Sequence, residues 1–120
     1  MSELNYTIRL RITNREAEEP VFFGPGVAEL MEMIDEEHQL TRACRRMDIS
    51  YTKAWRILKR AEEGWGKPLV ESHSGGEKGG NMVLTQAGQD LLDRYRGMER
   101  QLNEASRTVF QRFFGGEDVK

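Results

Sequence analysis

Residues 38–60 read HQLTRACRRMDISYTKAWRILKR, and the fold class is predicted chiefly from them. Thr41 is a suitable N-cap for a first short helix, and Asp48 is a turn residue that tolerates left-handed backbone geometry. The apolar residues of this helix and turn share one face: Leu40, Ala43, Met47 and Ile49. Ser50 is a suitable cap for a second helix. The stretch therefore predicts two short helices joined by a tight turn.

The predicted second helix has an apolar face and a basic face. Helical spacing places four residues on the apolar side, with Tyr51 and Trp55 at its edges: Ala54, Ile57, Leu58 and Ala61. The opposite side holds Thr52, Lys53, Arg56, Lys59 and Arg60. A helix-turn-helix with a cationic outer face is shaped to enter a DNA major groove. The alternative is an amphipathic hairpin whose charges only keep it soluble.

The distribution of charge favours DNA binding over that alternative. The chain carries a net charge of −2 and has a pI near 5.8. Residues 42–60 nevertheless contain one acid, Asp48, against seven basic residues: Arg42, Arg45, Arg46, Lys53, Arg56, Lys59 and Arg60. The first 41 residues contain three arginines and nine acids. Positive charge is thus concentrated on the predicted helix pair.

Length and composition predict one domain and limit its chemistry. At 120 residues the chain is long enough for one modest core. We expect a cytoplasmic protein, because no apolar run approaches membrane-spanning length and residues 1–10 do not resemble a signal peptide. Cys44 is the only cysteine and is expected to be a small core residue. No metal site, cofactor motif or nucleophile–base pair is apparent, so we expect neither a cofactor nor an enzyme.

The N-terminal region predicts a strand followed by a helix. Residues 4–12, LNYTIRLRI, alternate apolar and polar side chains, which is typical of a half-buried strand. After FFGPG, a helix is predicted over residues 27–38. Its apolar stripe is Val27, Leu30, Met31 and Ile34, and its acids are most simply a solvated face.

Two apolar runs flanking a glycine-rich loop follow the helix pair. Residues 69–70 and 82–84 are apolar, and between them residues 75–80 read GGEKGG. This pattern is typical of a β-hairpin with a flexible tip. A hairpin directly after a recognition helix is the wing of a winged helix-turn-helix, and Lys78 at its tip is expected to contact a phosphate or the minor groove.

The last part of the chain predicts one long helix that forms a dimer. Thr85 is a suitable N-cap, and no proline follows through about residue 114. Apolar residues recur at alternating spacings of four and three: Leu91, Tyr95, Met98, Leu102, Ala105 and Val109. Such a stripe is longer than a small winged domain can cover, so we expect a second copy to cover it. Residues 115–120 are expected to be a disordered tail.

The joint order of several motifs resembles the N-terminal DNA-binding domain of ModE-type molybdate-responsive regulators, which is similar to the winged domain of LysR-type regulators. The motifs are FGPG at residues 23–26, SY..AW at 50–55, WGKPLVES at 65–72, the GGEKGG wing and LTQAG at 84–88. The resemblance implies operator contact by the helix-turn-helix and wing, and a dimer through the last helix. One departure is Asp48, which stands where the family usually has glycine.

These observations predict a mainly α fold with a small β component, namely a winged helix-turn-helix over residues 1–114 with an N-terminal strand and a dimerisation helix at about 85–114. We expect a homodimeric transcriptional regulator of double-stranded DNA. Thr52, Lys53 and Arg56 are predicted to contact bases, and the predicted phosphate contacts are Arg42, Arg45, Arg46, Lys59, Arg60 and Lys78. The alternative is a winged module that binds another protein.

The family's full-length members carry a C-terminal molybdate-binding region that these 120 residues do not include. We therefore expect DNA binding without molybdate, with any effector signal arriving through a separate protein or not at all.

Overall fold

A computed structural model describes residues 3–73 and 80–115. The elements in chain order are β1 (Ile12–Thr13), β2 (Val21–Phe23), α1 (Pro25–Glu37), α2 (Leu40–Met47), α3 (Tyr51–Trp65), β3 (Val70–His73), β4 (Asn81–Leu84) and α4 (Gln86–Phe114). Strands β1 and β2 pair antiparallel, and β3 pairs antiparallel with β4. Three packed helices followed by a hairpin form a winged helix-turn-helix, which confirms the predicted fold class.

The core forms where α1, α2 and α3 meet β2 and the start of α4. Its fully buried members include three of the four predicted stripe residues of α1 and three of the four on the apolar side of α3: Leu30, Met31, Ile34, Ala54, Leu58 and Ala61. The remaining two, Val27 and Ile57, are partly buried against the same core. Phe23 lies beside Tyr95 of α4, with ring centroids 5.0 Å apart. Cys44 is buried as expected, and burial raises the pKa of its thiol. This single core fixes the position of the helix-turn-helix.

Local capping defines the turn between α2 and α3. Asp48 adopts the left-handed conformation with φ 58°, and its N–H donates to the carbonyl of Arg45. Ser50 Oγ accepts from the Lys53 N–H at 3.0 Å, which confirms the predicted cap of α3. The predicted cap at Thr41 is wrong, because α2 already begins at Leu40 with Gln39 at the N-cap. His38 has a left-handed backbone conformation and ends α1 two residues before Leu40. The chain can therefore start α2 at Leu40, whose side chain is buried in the first turn of that helix.

The predicted N-terminal strand is much shorter than expected. The ladder with β2 includes only Ile12 and Thr13, and residues 4–11 belong to no strand. The reason is that β2 is only three residues long, because Pro20 precedes it and Pro25 starts α1 shortly after it. We call residues 4–10 the N-terminal arm. The arm runs beside α4, where the Tyr6 ring stacks on Phe110 with centroids 4.5 Å apart.

Helix α4 extends far beyond the core. Thr85 Oγ1 accepts from the Gly88 N–H at 2.9 Å, which confirms the predicted N-cap. With 29 residues the helix is about 43 Å long, yet Tyr95 is its last buried residue. The chain accordingly measures 65 × 33 × 22 Å, with a radius of gyration of 18.0 Å against about 14 Å for a compact chain of this length. Residues 116–120 of the predicted tail lie outside the described residues.

Candidate nucleic-acid interface

The exposed side of α3 carries the predicted base-contacting residues. Ala54, Leu58 and Ala61 are fully buried against the core, so the opposite side of the helix faces outward. Thr52, Lys53, Arg56 and Lys59 are all exposed there. Within the described part of the chain, no carboxylate lies within ion-pairing distance of Lys53, Arg56 or Lys59. Their charges are therefore available to a polyanion.

The predicted phosphate contacts differ in whether an acidic side chain already contacts them. Arg42 and Arg45 are exposed on α2, and over the described residues neither has an ion-pair partner. Arg46 Nη1 instead contacts Glu36 at 2.6 Å and Glu37 at 3.1 Å, and these hydrogen bonds raise the pKa of Arg46.

Arg60 Nε also has an acidic partner and contacts Glu19 at 2.8 Å. Because Arg46 and Arg60 are held by acids from α1 and from the loop before β2, DNA would have to compete for both side chains. Lys78 lies outside the described residues.

Hydrogen bonds fix the base of the wing against the helices. Glu62 of α3 accepts from the backbone N–H groups of Leu69 and Val70 at 2.9 and 3.4 Å. The Met82 N–H of β4 donates to the carbonyl of His38 at 2.9 Å. The wing is thus attached both to α3 and to the end of α1. Residues 75–79 of the predicted wing tip lie outside the described part of the chain.

A polar concavity of about 290 Å³ lies between the wing and the starts of α2 and α3. Neutral polar side chains contribute to its lining: Gln39, Thr41, Tyr51, Ser72 and Asn81. The sequence patterns do not indicate these residues as DNA contacts, because they are uncharged and belong to five different elements or junctions. Polar residues at helix starts and at the wing base are the signal that could have indicated them. This concavity lies next to the exposed side of α3 that begins at Thr52.

Neither a metal-ion site nor a membrane-spanning helix is found among the described residues. Residues 3–73 and 80–115 contain no cluster of His, Cys, Asp and Glu that could hold a metal ion. Across the same ranges, no helix combines the length and apolarity needed to cross a membrane.

Fold and surface together define a winged helix-turn-helix of the DNA-binding type. Residues 28–89, just over half of the chain, match the family model of bacterial regulatory helix-turn-helix proteins of the lysR family. The chain belongs to this family.

Curated relatives agree with this assignment. The transcriptional regulator ModE of Haemophilus influenzae is 28% identical over 99 residues, which are 82% of this chain and 36% of that protein. The molybdenum-pterin-binding protein MopA of Rhodobacter capsulatus is 34% identical over 63% of this chain and 29% of its own length. The DNA-binding transcriptional dual regulator ModE of Escherichia coli K12 is 30% identical over 65% of this chain and 30% of its own. The chain thus spans about a third of the length of these relatives, and the predicted resemblance to ModE-type regulators is confirmed.

Proposed function

We propose that this chain is a sequence-specific DNA-binding transcriptional regulator that acts as a homodimer on operator DNA. The observation that carries the proposal is the outward side of α3, where exposed basic side chains project from a helix fixed by its buried opposite side. Three of them, Lys53, Arg56 and Lys59, have no acidic partner among the residues that the structure describes. Such a helix fits the major groove, where side chains contact base edges. The names of the relatives, which include two transcriptional regulators, support the same function.

Within this proposal the basic residues have different tasks. Thr52, Lys53 and Arg56 near the start of α3 would contact bases. Lys59, further along the helix, would contact phosphates together with Arg42 and Arg45 of α2. Arg46 and Arg60 would join them only by leaving their carboxylate partners, so we expect smaller contributions from these two. Lys78 remains a proposed phosphate contact at the wing tip.

The salt dependence of DNA affinity tests this function. Arg42, Arg45 and Lys59 from each of two copies would neutralise about six phosphates, or about eight if Lys78 is included, so affinity should fall at least about a thousandfold between 50 and 200 mM salt. Fluorescence anisotropy of a labelled random-sequence duplex measures this directly. Absence of binding at 50 mM salt would instead favour the protein-interaction module.

We also propose that molybdate, added to metal-free buffer, leaves the affinity for DNA unchanged. A DNA affinity that depends on molybdate would contradict this.

The proposed dimer uses the exposed part of α4. Leu91 and Tyr95, two of the six residues predicted from the apolar spacing, are buried in the core of their own chain and are not available to a partner. The other four are exposed, and we call them the α4 stripe: Met98, Leu102, Ala105 and Val109. Leu102→Asp should dissociate the dimer, because it would bury an unpaired charge between the copies. Sedimentation equilibrium tests this, and an unchanged dimer would place the interface elsewhere.

A further inference from the structure

The end of α4 and the N-terminal arm enclose an apolar groove. The groove has a volume of about 470 Å³, and we call it the end groove. Its lining is dominated by apolar side chains from both elements: Leu4, Tyr6, Ile8, Val109, Phe110, Phe113 and Phe114. Five of these are large hydrophobic residues that are 39% to 69% exposed. A cluster of this kind on one surface marks an interaction site.

The arm is anchored to α4 but does not fill the groove. The Tyr6 hydroxyl is hydrogen-bonded to Ser106, and the Tyr95 hydroxyl donates to the carbonyl of Leu10 at 2.8 Å. Between these anchors Ile8 remains 39% exposed. Residues 116–120, GEDVK, are mostly glycine or charged, so their composition does not suit an apolar groove. The apolar side chains of the alternating arm therefore line an end groove that this chain covers only partly.

The area that a stable dimer needs indicates the occupant. If a large apolar side chain has a full area of about 180 Å², the exposed parts of Met98, Leu102 and Val109 amount to roughly 240 Å² per copy. A standard interface buries about 800 Å² on each partner, and in homodimers about 65% of this, roughly 520 Å², is apolar, so the α4 stripe alone is too small. Adding the exposed parts of the end-groove residues Leu4, Ile8, Phe113 and Phe114 raises the apolar area to roughly 640 Å².

The end groove also continues the α4 stripe. Val109 belongs to both surfaces, and Phe113 follows it one helical turn later. A second α4 lying on the stripe would therefore reach the groove without a change of direction. We propose that the end groove is occupied by α4 of a second copy of this chain, so that the N-terminal arm of each copy contacts its partner. This proposal rests on the proposed function, since it extends the proposed dimer.

Substitution on the two sides of the arm tests the proposal. Ile8→Asp places a charge in the groove, whereas Thr7→Asp places the same charge on the neighbouring exposed residue with the opposite alternation. We expect Ile8→Asp to raise the dimer dissociation constant at least tenfold in sedimentation equilibrium and Thr7→Asp to change it less than twofold. Leu102→Asp, measured in parallel, reports on the α4 stripe alone.

The two charged variants distinguish the proposed dimer through α4 from the proposed contact of the arm with the partner copy. If Leu102→Asp dissociates the dimer but Ile8→Asp leaves it unchanged, the proposed dimer stands and the role of the arm is wrong. If neither variant changes the oligomer, the proposed dimer through α4 fails as well.

A photoreactive phenylalanine analogue at position 8, mixed with a larger tagged copy, gives a second measurement that does not depend on folding of the charged variants. An interchain adduct that maps to α4 supports the proposal. Adducts confined to the same chain, or equal interchain adducts from position 7, would overturn it.

Discussion

At the scale of single residues, the turn between α2 and α3 depends on one strained position. Asp48 has φ 58°, a left-handed conformation that costs most side chains about 1 kcal/mol or more. Aspartate is one of the few residues that tolerate it. The same side chain is also the only acid between Arg42 and Arg60, so it reduces the positive charge next to the proposed DNA-binding face. We therefore expect position 48 to influence both stability and the proposed DNA binding.

Two substitutions at Asp48 separate these effects. Asp48→Asn removes the charge while retaining tolerance of the left-handed region, and Asp48→Gly also removes the backbone strain. We expect the glycine variant to be more stable than the asparagine variant by about 0.5 to 1 kcal/mol in urea unfolding. Both should bind DNA more tightly than the parent chain, and by similar factors. A glycine variant less stable than the asparagine variant would contradict our account of the turn.

At the scale of elements, close contacts that need glycine determine how α3 sits on β2. A Cβ atom at Gly64 would lie 2.1 Å from the ring of Phe22, whose position is itself restricted by stacking on Trp65. Helix α3 can therefore approach β2 only if residue 64 has no side chain. Gly97 of α4 is different, because the nearest atom to its Cβ would be the flexible end of Arg100 at 3.9 Å.

These two glycines give a matched pair of predictions. Gly64→Ala should destabilise the fold by about 1 to 3 kcal/mol, because the added methyl group displaces Phe22. Gly97→Ala should stabilise it by about 0.5 to 1 kcal/mol, because alanine favours a helix interior and open space surrounds the site. Thermal unfolding of the two variants measures both effects. Equal shifts in the same direction would show that the contact with Phe22 does not limit packing.

Local patterns predicted the elements that depend on local chemistry. Ser50 and Thr85 cap the helices that they were expected to cap, and the apolar runs around the glycine-rich loop pair as β3 and β4. The N-terminal strand could not be predicted in its observed length, since that length depends on how many residues β2 offers as a partner. Contacts distant in sequence were likewise hidden. The hydrogen-bonded ion pair between Glu32 of α1 and Arg96 of α4 is an example, because the two residues are 64 positions apart in the sequence. This contact lowers the pKa of the Glu32 carboxyl.

At the scale of the whole molecule, two surfaces lie on different parts of an elongated chain. The basic side of α3 belongs to the compact winged domain, and the α4 stripe with the end groove lies on the part of α4 beyond its last buried residue. A dimer through α4 would leave both α3 helices exposed, which allows two half-sites to be bound together.

The basic surface illustrates what the sequence could not predict at this scale. Charge counting identified seven basic residues in residues 42–60, and the fold gives Arg46 and Arg60 acidic partners from segments that precede Leu40 in the chain. Such pairing depends on the packing of α2 and α3 against earlier parts of the chain. Counting charge by segment therefore overestimated the free positive charge.

Substitution of Arg56 shows whether the outward side of α3 contacts DNA bases, as we propose. Arg56→Ala and Lys59→Ala should be compared on a duplex selected from a random pool and on an unselected duplex, by fluorescence anisotropy at one salt concentration. We expect Arg56→Ala to cost about 1 to 3 kcal/mol on the selected duplex and much less on the unselected one, and Lys59→Ala to weaken both about equally. If Arg56→Ala weakened both duplexes by the same factor, base contact through this side of α3 would be contradicted.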